Sequence, residues 1–453
     1  MLSIAVRAAL AYARPVVRST VRMASSSSSS DSLGRGDVCV LGGGFGGLYT
    51  ALRLSGLDWG GAKPRITLVD RSDRFVFLPM LYELATGSVA CWEVAPPFEE
   101  VLAGSGVEFV QADVRSLDTA ARMVGVAEAG GGGLRHLPYD QCVLALGAEP
   151  VVGAVPGAAE HALPFYGLDD ALALRRKLKA LAAEGGALRV TVVGGGYVGV
   201  ELAANLAAWL PPSQLQLTLV HRAGELVDAS PLDFNRAAAA DRLRDAGVDV
   251  RLRAEVERVT PDGATVRAAG GGGGGEGAAG EEIGADVVVW TAGSRPSSLL
   301  PELGLPLDEG GRLRVGPTLQ LDGSDALFAL GDAARGVDAA GAAPPSTAQA
   351  AIQQADYAAW NVRAAMRNER MLPYRYANLG EMLSFGGADA ALSSLGLLEL
   401  KGPLAAASRR AVYAARMPTA KQAAKVGASW ATDAAINTAL GAIAAANKAS
   451  KKE

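Results

Sequence analysis

Two glycine clusters stand where a chain of this kind could hold a pyrophosphate. Residues 38–47 read Val-Cys-Val-Leu-Gly-Gly-Gly-Phe-Gly-Gly, and residues 190–199 read Val-Thr-Val-Val-Gly-Gly-Gly-Tyr-Val-Gly. Each is a short β-branched run, then GxGxxG, then a helical pattern. Gly42 permits the tight turn, Gly44 lets bare backbone approach the anion, and Gly47 lets the helix pack against its strand. Gly194, Gly196 and Gly199 repeat the set, and Phe45 and Gly46 lie inside the first one. The anion would sit at a helix N-terminus, where free N–H groups and the helix dipole favour negative charge. Asp70 follows Gly42 by 28 residues, a spacing that suits a carboxylate accepting both ribose hydroxyls. A structural acid at a strand end is the plain alternative. One GxGxxG is weak evidence; two in matched context are strong.

The elements that must position these residues are duplicated as well. Ile66 to Val69 reads as a strand ending at Asp70, and Leu215 to Val220 as one ending at His221. Asp140 opens a run to Gly147 and Asp286 opens one to Gly293, the glycine standing seven residues after the aspartate in both. From first to closing glycine the distances are 105 and 99 residues. The fold class expected is α/β, with two Rossmann-like dinucleotide-binding domains and a C-terminal membrane-associating region. Gly130 to Gly133 and Gly270 to Gly275 read as loop tips.

The second strand end departs from the NADH pattern. His221 and Arg222 stand where an acid would accept a 2′-hydroxyl. A guanidinium pairs with a 2′-phosphate that a carboxylate would repel, so NADPH is expected to be accepted. The alternative is that Arg222 faces solvent and Glu225 fills the acid's place. Late in the chain, Phe-Ala-Leu-Gly-Asp at 328–332 resembles the second flavin-binding motif of two-dinucleotide flavoproteins. That resemblance gives Asp332 the ribityl chain of FAD, assigns FAD to the N-terminal half and NAD(P)H, as substrate, to the second. Val114, Gly147, Ala348 and Gly293 complete the expected cofactor contacts. The divisions expected are 1–34 as a leader, 35–160 and 300–375 as the FAD-binding domain, 161–299 as the NAD(P)H-binding domain, and 376–453 as a quinone and membrane-surface region.

Composition narrows the chemistry. Cys39, Cys91 and Cys142 form no close pair, so neither a disulfide framework nor a cysteine metal cluster is expected. Cys39 and Cys142 fall in apolar runs and read as small buried thiols. His136 and His161 are isolated and carry no expected role, and no metal site is expected. The net charge of −4 conceals +4 in residues 1–30 and +6 in residues 395–453, leaving −14 between them. The first basic end, with Arg7, Arg14, Arg18, Arg22 and a serine run, has the signature of an organellar transit peptide. No apolar stretch is long enough for a membrane span, and no nucleic-acid partner is expected.

Further residues carry a specific resemblance. Leu78-Pro79-Met80-Leu81-Tyr82-Glu83, Trp290-Thr291-Ala292-Gly293 and Ala348-Gln349-Ala350-Ala351-Ile352-Gln353 make the chain similar to type II (alternative) NAD(P)H:quinone oxidoreductases from about residue 37 to residue 430. Leu379-Gly380-Glu381-Met382, Gly402-Pro403-Leu404 and Ala414 to Thr419 resemble the plant C-type branch of that family. The resemblance implies hydride transfer from NAD(P)H to flavin and two-electron reduction of a prenylquinone without proton pumping. The quinone would be of plastoquinone, phylloquinone-precursor or ubiquinone type, in chloroplast or mitochondrion, and a homodimer is compatible with it. It makes Gln349 and Gln353 the quinone-site amides, which could donate to a carbonyl gaining negative charge. It gives Glu201 proton transfer, if burial raises its pKa; an ordinary first-turn acid is the alternative. Leu395, Leu397, Leu398 and Leu400 among Lys401, Arg409, Arg410 and Arg416, and the stripe Ile436, Leu440, Ile443 before Lys448, Lys451 and Lys452, read as basic amphipathic segments lying on a membrane. A helix packed on the body is the bland alternative. The competing function is a soluble flavin reductase that passes electrons to a protein.

Overall fold

Strands Asp37–Leu41 and Leu188–Val193 form in β-branched runs and are buried over most of their length. The computed structural model describes residues 36–128, 133–269, 280–394 and 397–449, with side chains up to residue 434. The transit-peptide reading of 1–34, most of the two glycine runs, Leu395, and the stripe from Ile436 to Lys452 lie outside what is described.

Strand Asp37–Leu41 lies third in a seven-stranded sheet. The order is Leu327–Ala329, Gln141–Leu144, Asp37–Leu41, Arg65–Asp70, Val107–Asp118, Met123–Glu128, Leu134–Pro138. The first five are parallel where they pair, and the last two turn back antiparallel. A second sheet of five parallel strands runs Asp249–Leu252, Leu215–His221, Leu188–Val193, Val287–Trp290, Ala162–Pro164. Reversed, this is the same arrangement: an outer strand, the closing strand, then first, second and third. Parallel strands covered on both faces need continuous apolar runs, which is why Val38, Cys39, Val40 and Leu41 are all buried. The strand Leu327–Ala329 returns to the first sheet after the whole second half. Thus the Asp332 segment and the first glycine motif share one sheet edge.

The matched spacing from aspartate to glycine has a physical reason. Asp140 Oδ2 accepts from the Asp37 amide at 2.7 Å, and Asp286 Oδ2 accepts from the Arg189 amide at 2.8 Å. Each acid ties the start of its closing strand to the start of the first strand, which sets the register that brings Gly147 and Gly293 beside the motifs. Short strands Ala148–Pro150 and Ser294–Pro296 follow those glycines and pair antiparallel, joining the halves.

Cys39 and Cys142 face each other on neighbouring strands and are buried; burial pushes the Cys39 thiol up to about 12 and Cys142 well above its usual value. Both are inert packing residues.

The C-terminal region is a three-stranded antiparallel sheet, Glu381–Ser384, Ala390–Ser394 and Leu398–Lys401, followed by helices Pro403–Ala415 and Ala420–Ala449. It grips both halves. Glu381 accepts from Ser230 Oγ at 2.6 Å and Asn235 Nδ2 at 2.8 Å, and Lys425 pairs with Glu100 at 3.2 Å. Among the described residues no helix is long and apolar enough to cross a membrane. In the leucine segment, Leu398 and Leu400 lie on a strand and pack beside Leu392 and Ala405, leaving Leu397 in the turn before it, 89% exposed. Arg409 is not a surface cation. It is buried and paired with Glu83, which has no other ion-pair partner among the described residues.

Candidate active site

In the first motif the backbone decides the residue types. Gly42 has φ +99°, and a Cβ there would overlap the Ala145 carbonyl; one on Gly47 would overlap Gly42 O. Gly46 is tight against Leu330, whose side chain would lie 3.2 Å from a Cβ. Gly44 differs. It caps helix Phe45–Gly56 with extended backbone and no side-chain cap, and a Cβ would meet nothing within 4 Å. The protein itself does not require glycine there, so the open space before these bare amides fits a ligand that approaches the backbone. The Phe45 ring packs against Phe75 at 5.2 Å and Phe77 at 5.4 Å. That packing takes up the Phe45 ring and leaves its backbone at the start of the helix.

Asp70 organises the same turn. Its Oδ2 accepts from Gly43 N at 2.5 Å and its Oδ1 from Ser72 N at 2.7 Å. Each oxygen keeps a second acceptor site for a hydroxyl. Burial raises its pKa, with the two amide donors opposing. Val114 is half-buried at a bulge in its strand, and Gly147 takes φ +67° just past the closing strand. Asp332 is half-buried, with its pKa raised by desolvation and partly offset by Arg312. A cavity lined by Asp332, Gly331, Thr347, Ala350 and Ala351 joins this acid to the start of helix Ala348–Met366, which Thr347 caps by accepting from Ala350 N. A bare helix end for a pyrophosphate and two acids for sugar hydroxyls fit FAD.

The second motif repeats the geometry with one exchange. Gly194 has φ +113° and lies against Thr291; a Cβ on Gly199 would overlap Gly194 O; Gly196 again faces open space. Here His221 Nδ1 accepts from Gly195 N at 3.0 Å, the position Asp70 holds in the first half. That bond leaves the imidazole proton on Nε2, which lies 3.4 Å from Asp228 without hydrogen-bonding to it. An imidazole thus does the turn's structural work without the negative charge. Arg222 is exposed, Glu225 pairs with Arg236 at 3.1 Å, and Gly293 is exposed with φ +80°.

Between the halves lies a buried ionic network. Glu201, on helix Tyr197–Trp209, accepts through Oε1 from Tyr82 OH at 2.6 Å and Ser384 N at 2.8 Å. Tyr82 OH accepts from Arg409 Nη2 at 2.7 Å, and Arg409 Nη1 pairs with Glu83 at 2.9 Å. The Arg409 and Glu83 side chains are 2% and 5% exposed. Two carboxyls share one guanidinium, so one of them must be held near neutrality. Desolvation raises Glu201 to about 7 against the pull of Arg409 and the Tyr82 hydrogen bond.

A model of the pyridine nucleotide-disulphide oxidoreductase family matches residues 36–355. Among curated relatives, the demethylphylloquinone reductase of Synechocystis is 43% identical over 397 residues, covering 87% of this chain and 95% of the relative. The Arabidopsis thaliana alternative NAD(P)H-ubiquinone oxidoreductase C1, chloroplastic/mitochondrial, is 39% identical over 426 residues, covering 88% of this chain and 81% of the relative. The chain belongs to the pyridine nucleotide-disulphide oxidoreductase family, in its type II NAD(P)H:quinone oxidoreductase branch. The NDH2 structure from Plasmodium falciparum in complex with NADH shares the fold, with a TM-score of 0.74 at 16% identity, covering 86% of this chain and 96% of that one.

For a type II enzyme the surprise is where the paired glutamines point. Gln353 Nε2 donates to Ala377 O at 2.8 Å and its Oε1 accepts from Ala377 N at 2.9 Å. Gln349 Nε2 donates to Gly380 O at 3.1 Å, and its Oε1 accepts from Leu379 N at 3.0 Å and Tyr376 OH at 3.1 Å. Both amides pin the strap 376–380. Gln353 is only 1% exposed. Half-buried Gln349 keeps one N–H for another acceptor. Tyr82, Glu83 and Arg409 were not legible as a site: the first two sat in an apolar motif, and Arg409 looked like one of many tail cations.

Proposed function

We propose that this chain is an FAD-dependent, non-proton-pumping NAD(P)H:quinone oxidoreductase acting on a membrane prenylquinone. The observation that carries this reading is Glu201, a buried carboxyl raised to about 7 where the two halves and the C-terminal region meet. A quinone leaves as quinol only with two protons beside its two electrons, and a carboxyl poised near neutral pH can hold and release one. Oε1 is occupied by Tyr82 and Ser384, so Oε2 is the oxygen that carries the proton.

FAD bound in the first cradle supplies the chemistry that accepts a hydride and passes on electrons. The amides after Gly44 would hold its pyrophosphate, Asp70 its ribose and Asp332 its ribityl hydroxyls. The cradle of Gly194, Gly196 and Gly199 binds NAD(P)H, with Arg222 admitting the 2′-phosphate form. Gln349 donates its remaining N–H to the quinone, and Gln353 holds the strap that fixes Gln349. The divisions at 35–160, 161–299, 300–375 and 376–453 follow these roles. The exposed Leu397 and the half-exposed Leu404, with Lys401 between them, support one-sided contact with lipid, and the plant relative's name supports residence in chloroplast or mitochondrion.

The test uses the purified flavin-loaded protein with NADH and NADPH, against prenylquinones in liposomes and against an iron–sulfur protein. Quinone reduction that Glu201→Gln slows, with flavin bleaching by NAD(P)H intact, is the expected result. Turnover with the protein acceptor and none with quinones would overturn the reading.

A further inference from the structure

Strands Leu215–His221 and Asp249–Leu252 run parallel, with His221 opposite Leu252. One residue further on, Arg222 and Arg253 leave the sheet side by side, on strands roughly 4.8 Å apart. This is the carboxyl edge, where open α/β sheets bind their ligands.

Arg253 is held there with unusual firmness. Its amide donates to Ala223 O at 2.9 Å, locking it to the loop after His221. Its φ is +52°, a left-handed conformation that non-glycine residues seldom adopt and that the surroundings must impose. The guanidinium then lies over Gly224, where a Cβ would stand 3.1 Å from Nε and 3.4 Å from Nη2. A side chain at 224 would push it aside.

Three neighbouring acids are already paired. Arg236 holds Glu225 at 3.1 Å, and Arg251 holds Asp249 at 2.9 Å and Glu281 at 3.2 Å. Arg222 and Arg253 are exposed, and among the described residues neither has an ion-pair or side-chain hydrogen-bond partner. Two unmatched guanidiniums therefore flank a strand end from which the ribose-binding acid is missing.

We propose that Arg253 is the second arm of a phosphate clamp, closing with Arg222 on the adenosine 2′-phosphate of NADPH. The clamp rests on the reading that the second cradle binds NAD(P)H. Arg222 comes from the strand end that a sequence motif marks. Arg253 comes from the next strand and makes the site selective, because two forks from different directions match a phosphate that one would hold loosely.

Binding of 2′,5′-ADP and 5′-ADP to the flavin-loaded full chain, measured by calorimetry, tests it apart from turnover. Arg253→Ala should weaken 2′,5′-ADP by about tenfold or more, the range for losing a hydrogen bond to a charged group, and leave 5′-ADP within about twofold. Arg253→Lys should recover part of the loss, and Gly224→Val, which displaces the guanidinium, should mimic the alanine variant. Unchanged discrimination between the two ligands in Arg253→Ala, with 5′-ADP still bound, would overturn the clamp alone. A wild-type protein that binds neither ligand would overturn the cradle reading and the clamp with it.

Discussion

Glu201→Gln keeps the shape of the side chain and its oxygen acceptor for Tyr82 and Ser384 while removing the charge. In the unfolded chain the carboxyl ionises near the usual 4.5; in the folded protein it does so at about 7. The folded state binds the proton more tightly, so stability falls as pH rises between those values and stays lower above them. At about 1.4 kcal/mol per tenfold change in proton affinity, the cost levels off at roughly 3 kcal/mol above pH 8. The glutamine variant escapes it. Folding of about 400 residues changes entropy by roughly 2 cal/mol/K each, so the variant should melt about 3–4 °C higher than wild type at pH 8.5. Near pH 4.5 the two should melt together. Its quinone reduction should be slower by about a hundredfold or more, within the range for a lost general acid, and should lose the inflection near pH 7. Parallel melting profiles across this pH range, or a variant less stable at pH 8.5, would refute the argument that Glu201 carries a buried charge. An undiminished quinone rate would refute its part in proton delivery.

A Cβ at Gly44 meets no protein atom within 4 Å, so Gly44→Val should fold and purify colourless; a yellow variant would contradict the FAD assignment. Gly47→Val runs into Gly42 O and should fail to accumulate as folded protein even with added FAD, as circular dichroism would show. Arg409→Ala strands Glu83 and should destabilise the protein by about 3–5 kcal/mol at pH 8, measured by urea unfolding; joint replacement with Glu83→Gln should cost clearly less. Gln353→Ala unpins Ala377 and should slow quinone reduction in stopped flow, while NADPH bleaches the flavin at the wild-type rate.

The duplicated halves were legible because their requirements are local. A glycine at φ +99° or +113°, or one whose Cβ would strike the backbone of its own turn, must be glycine in any surroundings. Burial on both faces demands the β-branched runs, so both sheets could be placed before any coordinates. The role of Asp140 and Asp286 was not readable, although their spacing was, because each bonds to an amide about a hundred residues away. Gln349 and Gln353 were recognised as a pair, but their bonds to the chain were not legible. One helix turn apart, they read as a face toward a ligand, and only the strap 376–380 shows what occupies them.

The amino-acid order alone determined two nucleotide cradles, the acid at Asp70, its replacement by His221, and the lack of a cysteine pair for disulfide chemistry. Each follows from residues near in sequence or from composition. Tertiary structure alone decided that Glu201, Tyr82, Glu83 and Arg409 form one buried network, and that Arg253 stands beside Arg222. Desolvation and Coulomb pairing depend on what surrounds a group in space. The partners come from segments up to 327 residues apart, so no local pattern could announce a carboxyl near pH 7 or a second guanidinium at the cradle's edge.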